Sequence, residues 1–254
     1  MATRVVRHSN SRLEKFFFSG MAILILVTVF LGFARTYYLA GVFKADPIPP
    51  LLHIHGAVFS SWMVLLIVQT SLVANGRVDL HRRLGLLGFC LACLLVILGL
   101  MVATNSMIRH FDAAEAAHMQ VEVKAFYAFQ TCDMLIFSTL IYFAFRNRFN
   151  PAAHKRLILI ATIALLDAAF GRWPIDVVSQ YFQFGCYALL LILIGHDLWS
   201  TRKLHRATLL ASVFFVMLYQ VRGPIGHTAR WQAFATWVQT SVRSSHVFDS
   251  YFFH

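Results

Sequence analysis

Residues 84–104 read LGLLGFCLACLLVILGLMVAT, a run of 21 residues without one charged side chain. A helix of about 20 apolar residues spans the hydrocarbon core of a bilayer. Arg82 and Arg83 come directly before this run, as basic residues commonly do at the cytoplasmic end of a membrane helix. The stretch therefore predicts a transmembrane helix.

Six further stretches of the chain are apolar over a similar length. The chain is 59% hydrophobic and only 13% charged, whereas soluble domains carry about 25% charged residues. We therefore predict an all-α fold, a polytopic membrane helix bundle of about seven transmembrane helices, with the lipid bilayer as its first partner. The other six stretches are residues 16–34, 53–73, 126–145, 157–173, 177–198 and 207–222.

The basic residues are distributed unevenly between the loops. Of 22 Lys and Arg residues, 14 precede the first stretch or follow the second, fourth and sixth. The positive-inside rule then places the N-terminus in the cytoplasm and the C-terminus outside. The net charge is +11. Basic clusters that set the topology and contact anionic lipid headgroups account for it, so nucleic acid is not an expected partner.

Three of the cytoplasmic turns resemble one another. They read Leu-His-Arg-Arg-Leu at 80–84, Ala-His-Lys-Arg-Leu at 153–157 and Leu-His-Arg-Ala at 204–207. The bundle is thus predicted to consist of one leading helix and three helical hairpins. Two interpretations are open for His81, His154 and His205: they anchor helix starts at the interface, or they ligate heme iron or a metal. His196, at the inner end of the sixth stretch, is a fourth candidate ligand.

The last part of the chain differs from the bundle in composition. We divide the chain into a transmembrane domain, 1–222, and a C-terminal tail, 223–254. Trp231, Phe234 and Trp237 recur every three residues among polar ones. This spacing fits an interfacial amphipathic helix, and a disordered tail is the alternative.

Several ionisable residues fall inside the apolar stretches, where they are costly and tend to be functional. Asp133 and Asp167 are the candidate catalytic carboxylates. Two imidazoles and one carboxylate suit a divalent metal, so His53 and His55 are candidate metal ligands that either aspartate would complete.

Two arginines, Arg172 and Arg222, are candidates for binding an anionic ligand at the outer side. A structural ion pair between Asp167 and Arg172, five residues apart, is the alternative for the first of them. The four cysteines all lie in apolar stretches and are interpreted as core residues.

One segment carries a resemblance to known proteins. Residues 53–85 include His-Ile-His-Gly, Trp62, Gln69 and Gly-Arg-Val-Asp-Leu-His-Arg-Arg-Leu-Gly. This segment resembles a group of uncharacterised bacterial multi-pass membrane proteins. Its His-Arg-Arg-Leu-Gly part is similar to helix starts in DUF2306-type and b-type cytochrome-like membrane proteins. The resemblance implies a bacterial inner membrane location and heme b bound by bundle histidines, with the match on His81.

Three function classes follow from these observations. A heme b redox protein would use His81, His154, His196 and His205. A metal-dependent membrane enzyme open to the outside would use His53, His55, Asp133 and Asp167. A non-enzymatic protein, which binds or transports a ligand or joins other membrane protein subunits, would need neither cofactor.

Overall fold

The computed structural model describes residues 2–116 and 118–244, and within these ranges it consists of helices joined by turns and short loops, without any strand. The predicted all-α bundle is therefore confirmed. Helix α1 passes into a π-helical segment, Ala34–Tyr38. The α-helices are α1 Ala2–Phe33, α2 Ala40–Phe43, α3 Pro50–Ala74, α4 Val78–Ala116, α5 Gln120–Arg146, α6 Pro151–Ile163, α7 Asp167–Phe170, α8 Asp176–Gln180, α9 Phe182–Thr201, α10 Arg206–Gly226 and α11 Ala229–Ser244.

Six of these elements are long and apolar enough to cross a membrane, and they identify the chain as an integral membrane protein. Leu86, Leu191 and Leu210 are 62%, 64% and 70% exposed, as lipid-facing side chains are. The six spans are Leu13–Tyr38, Pro50–Ala74, Val78–Phe111, Gln120–Arg146, Phe182–Thr201 and Arg206–Gly226.

The fifth predicted span, 157–173, is an interrupted helix in the structure. Helix α6 ends at Ile163, and α7 begins at Asp167. Between them Leu165 N–H donates to the Thr162 carbonyl and Leu166 N–H donates to the Ile163 carbonyl, each at 3.1 Å. These tighter i→i+3 bonds replace the α-helical pattern. Helix α6 has 13 residues, too few to span a bilayer alone, and α7 continues it.

Helix α6 lies at the centre of the bundle. It contacts α1, α5, α9 and α10, and Ile160, Ala161 and Ile163 are completely buried. Pro151 begins the helix, and the Asn150 side chain accepts a hydrogen bond from Ala153 N–H at 3.3 Å. This cap satisfies a donor that the first turn leaves free.

The two ends of the bundle differ. We call the end with the short α3–α4, α5–α6 and α9–α10 turns the turn end. The opposite end is the cap end, because α11 packs there across the last part of α4 and the first part of α5. Helix α4 has 39 residues, about 58 Å, so it extends well beyond a hydrocarbon core of about 30 Å.

The described part of the C-terminal tail is helical and rests on the bundle. Helix α10 continues to Gly226, past the predicted boundary at 222, and α11 follows after two residues. The Trp231 indole N–H donates to the Lys124 carbonyl at 2.7 Å. Ala235 and Gln239 are buried, whereas Trp237 is 64% exposed. Of the predicted aromatic face, Trp231 therefore contacts the bundle, whereas Trp237 faces the surroundings. Residues 245–254 lie outside the described ranges.

Helix α1 approaches α7 closely at one glycine. A Cβ atom built on Gly32 would lie 2.2 Å from the Ala169 carbonyl oxygen. Backbone cannot move aside as a flexible side chain does, so only glycine fits this crossing. Gly20 on the same helix has nothing within 4 Å of such an atom.

We predict that Gly32→Val separates α1 from α7 and lowers the free energy of unfolding by at least about 1–3 kcal/mol, the usual cost of overpacking. The measurement is thermal unfolding of the detergent-purified protein. Gly20→Val is the matched control and leaves the unfolding temperature close to that of the wild type. Equal unfolding temperatures for the two variants would contradict this helix crossing.

An exposed histidine links α10 to α5 at the cap end. His227 Nδ1 lies 2.9 Å from the Gly223 carbonyl oxygen, and Nε2 lies 3.2 Å from Glu122 Oε1. The Gly223 carbonyl and the Glu122 carboxylate raise the pKa of His227 above its usual value. A raised folded-state pKa means that this link stabilises the fold below the unfolded-state pKa and is lost as the pH rises through the folded value.

The unfolding temperatures of wild type and His227→Ala are therefore expected to differ at about pH 5.5 and to converge by about pH 8.5. Glu122→Gln should remove most of the difference at the lower pH, because it removes the charge that the imidazolium contacts. A difference that stays constant between the two pH values would show that the histidine acts by packing alone.

Candidate functional site

A buried polar cluster lies in the cap half of the bundle, where α5, α7, α9 and α10 meet. We call it the carboxylate cluster, and its members are Asp133, Asp167, Cys186, Tyr219 and Arg222. The Arg222 guanidinium is at its centre and is only 2% exposed. Each helix contributes one or two of these side chains, so the cluster exists only when all four helices have assembled.

Arg222 donates to both carboxylates. Its Nη1 lies 2.6 Å from Asp133 Oδ1, and its Nη2 lies 2.6 Å from Asp167 Oδ2. The guanidinium also stacks over the Tyr219 ring, 3.5 Å from the ring centroid. Its Nε has no hydrogen-bond partner among the described residues although it is buried. Arg222 therefore joins α5 and α7 through α10.

The two carboxylates are hydrogen-bonded unequally. Asp167 Oδ1 accepts from the Tyr219 hydroxyl and from the Cys186 thiol, the latter at 3.3 Å. Asp133 accepts only from Arg222 within the described part of the chain. Hydrogen bonds to a carboxylate favour its charged form. Asp167 thus has the larger set of donors, and Asp133 is the carboxylate with an unused oxygen.

The sequence singled out Asp133, Asp167 and Arg222 separately, and the structure brings all three together. Tyr219 precedes Arg222 by three residues, so both lie on one face of α10. Cys186 was interpreted as a core residue, and it is indeed completely buried. Nothing in its apolar neighbourhood indicates the hydrogen bond to Asp167.

Arg172 lies outside the cluster. Its Nη1 donates to the Ala168 carbonyl at 2.8 Å, and its guanidinium lies 5.2 Å from the centre of the Phe33 ring. The alternative ion pair between Asp167 and Arg172 is therefore not formed, because Asp167 points into the bundle toward Arg222. The two predicted ligand-binding arginines are in different environments.

The predicted metal ligands do not gather around one point. His53 lies beside the Tyr37 ring and His55 lies beside the Phe59 ring, both in the first part of α3. Within residues 2–116 and 118–244, no three His, Cys, Asp or Glu side chains are close enough to hold a metal ion. Asp133 and Asp167 instead form ion pairs with Arg222.

A second ionic cluster, which pairs basic with acidic side chains, lies at the turn end. Arg156 of α6 donates from Nε and Nη2 to Asp197 of α9, with Nη2–Oδ1 at 2.5 Å. Thr208 of α10 also donates to Asp197, at 2.5 Å. Asp197 is completely buried and Arg156 is 2% exposed. Beside this pair, Lys155 forms an ion pair with Glu14 of α1.

The four candidate heme ligands are scattered over the turn end. Only His81 and His154 face one another as a ring pair, with centroids 6.3 Å apart and planes at 81°. His154 Nδ1 lies 2.9 Å from the Ala144 carbonyl. His205 caps α10 by accepting from Ala207 N–H at 3.1 Å. His196 stacks on Phe17.

Comparison with protein-family models, with curated proteins and with solved structures gave no match for this chain.

Arg156 and Asp197 form a buried pair whose disruption has a predictable cost. Asp197→Asn leaves a buried guanidinium without its counter-charge, and we expect a loss of about 3–5 kcal/mol in the free energy of unfolding. Thermal unfolding in detergent measures it. Asp176→Asn, at an exposed position of α8, is the control with no expected change.

The double variant Arg156→Met/Asp197→Leu should recover most of this stability, because no buried charge remains unpaired. If the double variant is as unstable as Asp197→Asn, the pair has a role beyond charge neutralisation.

Proposed function

We propose that this chain is a non-enzymatic membrane transport protein that couples solute movement to protons, with Asp133 as the proton-binding group. The single observation that carries the proposal is the sharing of one arginine between two membrane-embedded carboxylates. The protein would lie in a bacterial inner membrane with its N-terminus and turn end in the cytoplasm, because the basic loops are at that end.

The charges of the carboxylate cluster support proton binding. Two ionised carboxylates and one guanidinium leave an excess charge of −1. An uncompensated charge in a low-dielectric interior costs several kcal/mol, so a proton or another cation is favoured there. Asp167 has three donors and Asp133 has one. The additional proton therefore belongs on Asp133.

Access to the cluster also supports the proposal. The side chains of Asp133 and Asp167 are 14% and 13% exposed, whereas that of Arg222 is 2% exposed. The two carboxylates therefore lie nearer the surface of the bundle than the guanidinium does. Carboxylates inside a membrane bundle that remain accessible are typical of proton relays in transporters.

The interrupted α6–α7 segment fits a transport role. Membrane transporters often place their binding sites at broken helices near the bilayer midplane. Here the break directly precedes Asp167. Toward the turn end, Ile160, Ile163, Leu193 and Phe215 are completely buried and form an apolar layer. Beyond that layer, at the turn end, lies the buried Arg156–Asp197 pair. The apolar layer therefore separates this pair from the carboxylate cluster.

A second candidate function rests on His81 and His154. The two rings face one another with centroids 6.3 Å apart, and neutral imidazole is a common ligand of heme iron and of metal ions. The Ala144 carbonyl at His154 Nδ1 would leave Nε2 free as a ligand. Heme b or a metal ion at this pair would give a redox protein. A reduced-minus-oxidised absorbance spectrum, with metal analysis, tests it.

Infrared spectroscopy of the reconstituted protein tests the primary proposal without knowledge of the solute. At about pH 7 the wild type is expected to show a protonated carboxyl band, because burial with only one donor favours the neutral acid. Asp133→Asn should remove the band, and the exposed Asp176→Asn should retain it. The band's persistence in Asp133→Asn would contradict the assignment of the proton.

Proteoliposomes complete this test. An inside-negative potential is imposed with valinomycin and potassium, an internal pH dye is followed, and small amines and amino acids are added in turn. Solute-dependent acidification is expected in the wild type and in Asp176→Asn and is expected to be absent in Asp133→Asn. Acidification by Asp133→Asn at the wild-type rate would overturn the role of this carboxylate.

A further inference from the structure

Helix α11 meets the α4–α5 hairpin at the level where the hydrocarbon core ends. The uncharged run of 21 residues in α4 ends at Thr104 and is about 31 Å long, which matches a hydrocarbon core of about 30 Å. The Tyr127 hydroxyl of α5 lies 3.2 Å from Thr104 Oγ1, so Tyr127 marks the same level on α5. The centroid of the Trp231 ring lies 5.7 Å from that of Tyr127. The first turn of α11 therefore lies at the boundary between hydrocarbon and headgroups.

The direction of α11 keeps it near this boundary. The Trp231 indole donates to the Lys124 carbonyl at 2.7 Å, and the Lys124 ammonium donates to Thr236 Oγ1 at 2.8 Å. Five residues of helix advance about 7.5 Å, yet both contacts fall on one residue of α5. Ala235 is buried in one cluster with Ala103 of α4. Helix α11 therefore crosses the hairpin instead of running along it.

One flank of α11 is polar and faces away from the hydrocarbon core. The Gln232 amide donates to the Val121 carbonyl at 3.1 Å, and Thr236 accepts from Lys124. Val121 and Lys124 both precede Tyr127 on α5, which enters the core from its cap end. These contacts therefore lie on the headgroup and water side of the boundary.

The other flank of α11 carries two exposed aromatic rings. Phe234 and Trp237 are 42% and 64% exposed, and Arg230 is exposed as well. Spacings of four and three residues place the three side chains on one face. This face is centred about 150° around the helix from Gln232 and Thr236. Because the polar flank faces away from the core, the aromatic flank faces toward the membrane.

The charge of α11 indicates which membrane component the aromatic flank meets. The helix contains Arg230 and Arg243 and no Asp or Glu. Glu122, close to its start, contacts His227. Aromatic and basic side chains together are typical of helices that lie in an anionic headgroup layer. An apolar protein surface would cover Phe234 but would leave the Arg230 guanidinium without a counter-charge.

We infer that the flank of α11 formed by Arg230, Phe234 and Trp237 lies in the headgroup layer and binds an anionic phospholipid. The two rings lie beside the glycerol groups and the first part of the acyl chains. The Arg230 guanidinium donates to the phosphate, a charge-assisted contact. Helix α11 then supports the extended α4–α5 hairpin on the membrane surface. This inference does not depend on the proposed transport function.

Fluorescence quenching of the full-length protein in phosphatidylcholine vesicles tests the position of Trp237. Its emission is the difference between wild type and Trp237→Phe. Lipid brominated near the glycerol end of its acyl chains is expected to quench this emission more than lipid brominated near the methyl end, and aqueous iodide should quench it little. Trp62 is 5% exposed, and the emission lost in Trp62→Phe is the matched control, with a weak response to all three quenchers.

Brominated phosphatidylglycerol tests the anionic headgroup. At equal mole fraction it should quench Trp237 more than brominated phosphatidylcholine does, by up to about fivefold, the enrichment expected from one arginine near the lipid. Arg230→Gln should make the two lipids equally effective. Arg206→Gln, at an exposed position at the turn end, is the control that keeps the wild-type preference.

Three results would overturn the inference. Quenching of Trp237 by iodide without quenching by brominated lipid would place the aromatic flank in water. Protection from every quencher would show that protein covers the flank, either a second copy of this chain or another subunit. Equal quenching of the wild type by the two brominated headgroup classes would exclude a preference for anionic lipid.

Discussion

The bundle depends on Arg222, which is shared between two carboxylates from different helices. In water such an ion pair contributes little to the stability of the fold. In a bilayer, each of the three charges would be costly if it were buried without the others. The guanidinium has two nitrogens directed at two separate acceptors, a geometry that lysine cannot reproduce. Helix α10 is therefore held against α5 and α7 by a specific interaction, in surroundings where apolar contact with lipid is nearly as favourable as contact with protein.

Much of the fold could be predicted because membrane insertion imposes a simple rule on the sequence. Stretches such as 84–104 must be helical, since no other open structure satisfies the backbone in lipid. The interruption at Ala164–Leu166 was not predicted. Those residues are as apolar as their neighbours, so composition does not mark the break. Directly after it, Asp167 contacts Cys186 of α9 and Tyr219 and Arg222 of α10, partners that sequence spacing does not indicate.

The candidate site could be predicted only in part, for a related reason. The cost of burying charge identifies Asp133, Asp167 and Arg222 as important, but it does not say which helices are neighbours. The Asp167–Arg172 pair that sequence proximity favoured is not formed, and Asp167 and Asp133 instead share Arg222 of α10, so that the interaction joins three helices. Arg156 was similarly counted as a topological charge in a basic loop, although it is buried against Asp197. The turns that contain His81, His154 and His205 are similar in sequence, but the three side chains lie in different environments. His205, for example, caps the start of α10.

The position of Arg222 in α10, which follows the other five described spans along the chain, has a consequence for biogenesis. Helices enter the membrane in the order of synthesis, so Asp133 and Asp167 arrive before the arginine that neutralises them. Until α10 is inserted, both carboxylates must be protonated, hydrated or shielded by the insertion machinery. Helix α10 thus completes the electrostatics of the earlier spans, and insertion of α5 and α7 without α10 would leave both acids without their counter-charge in lipid.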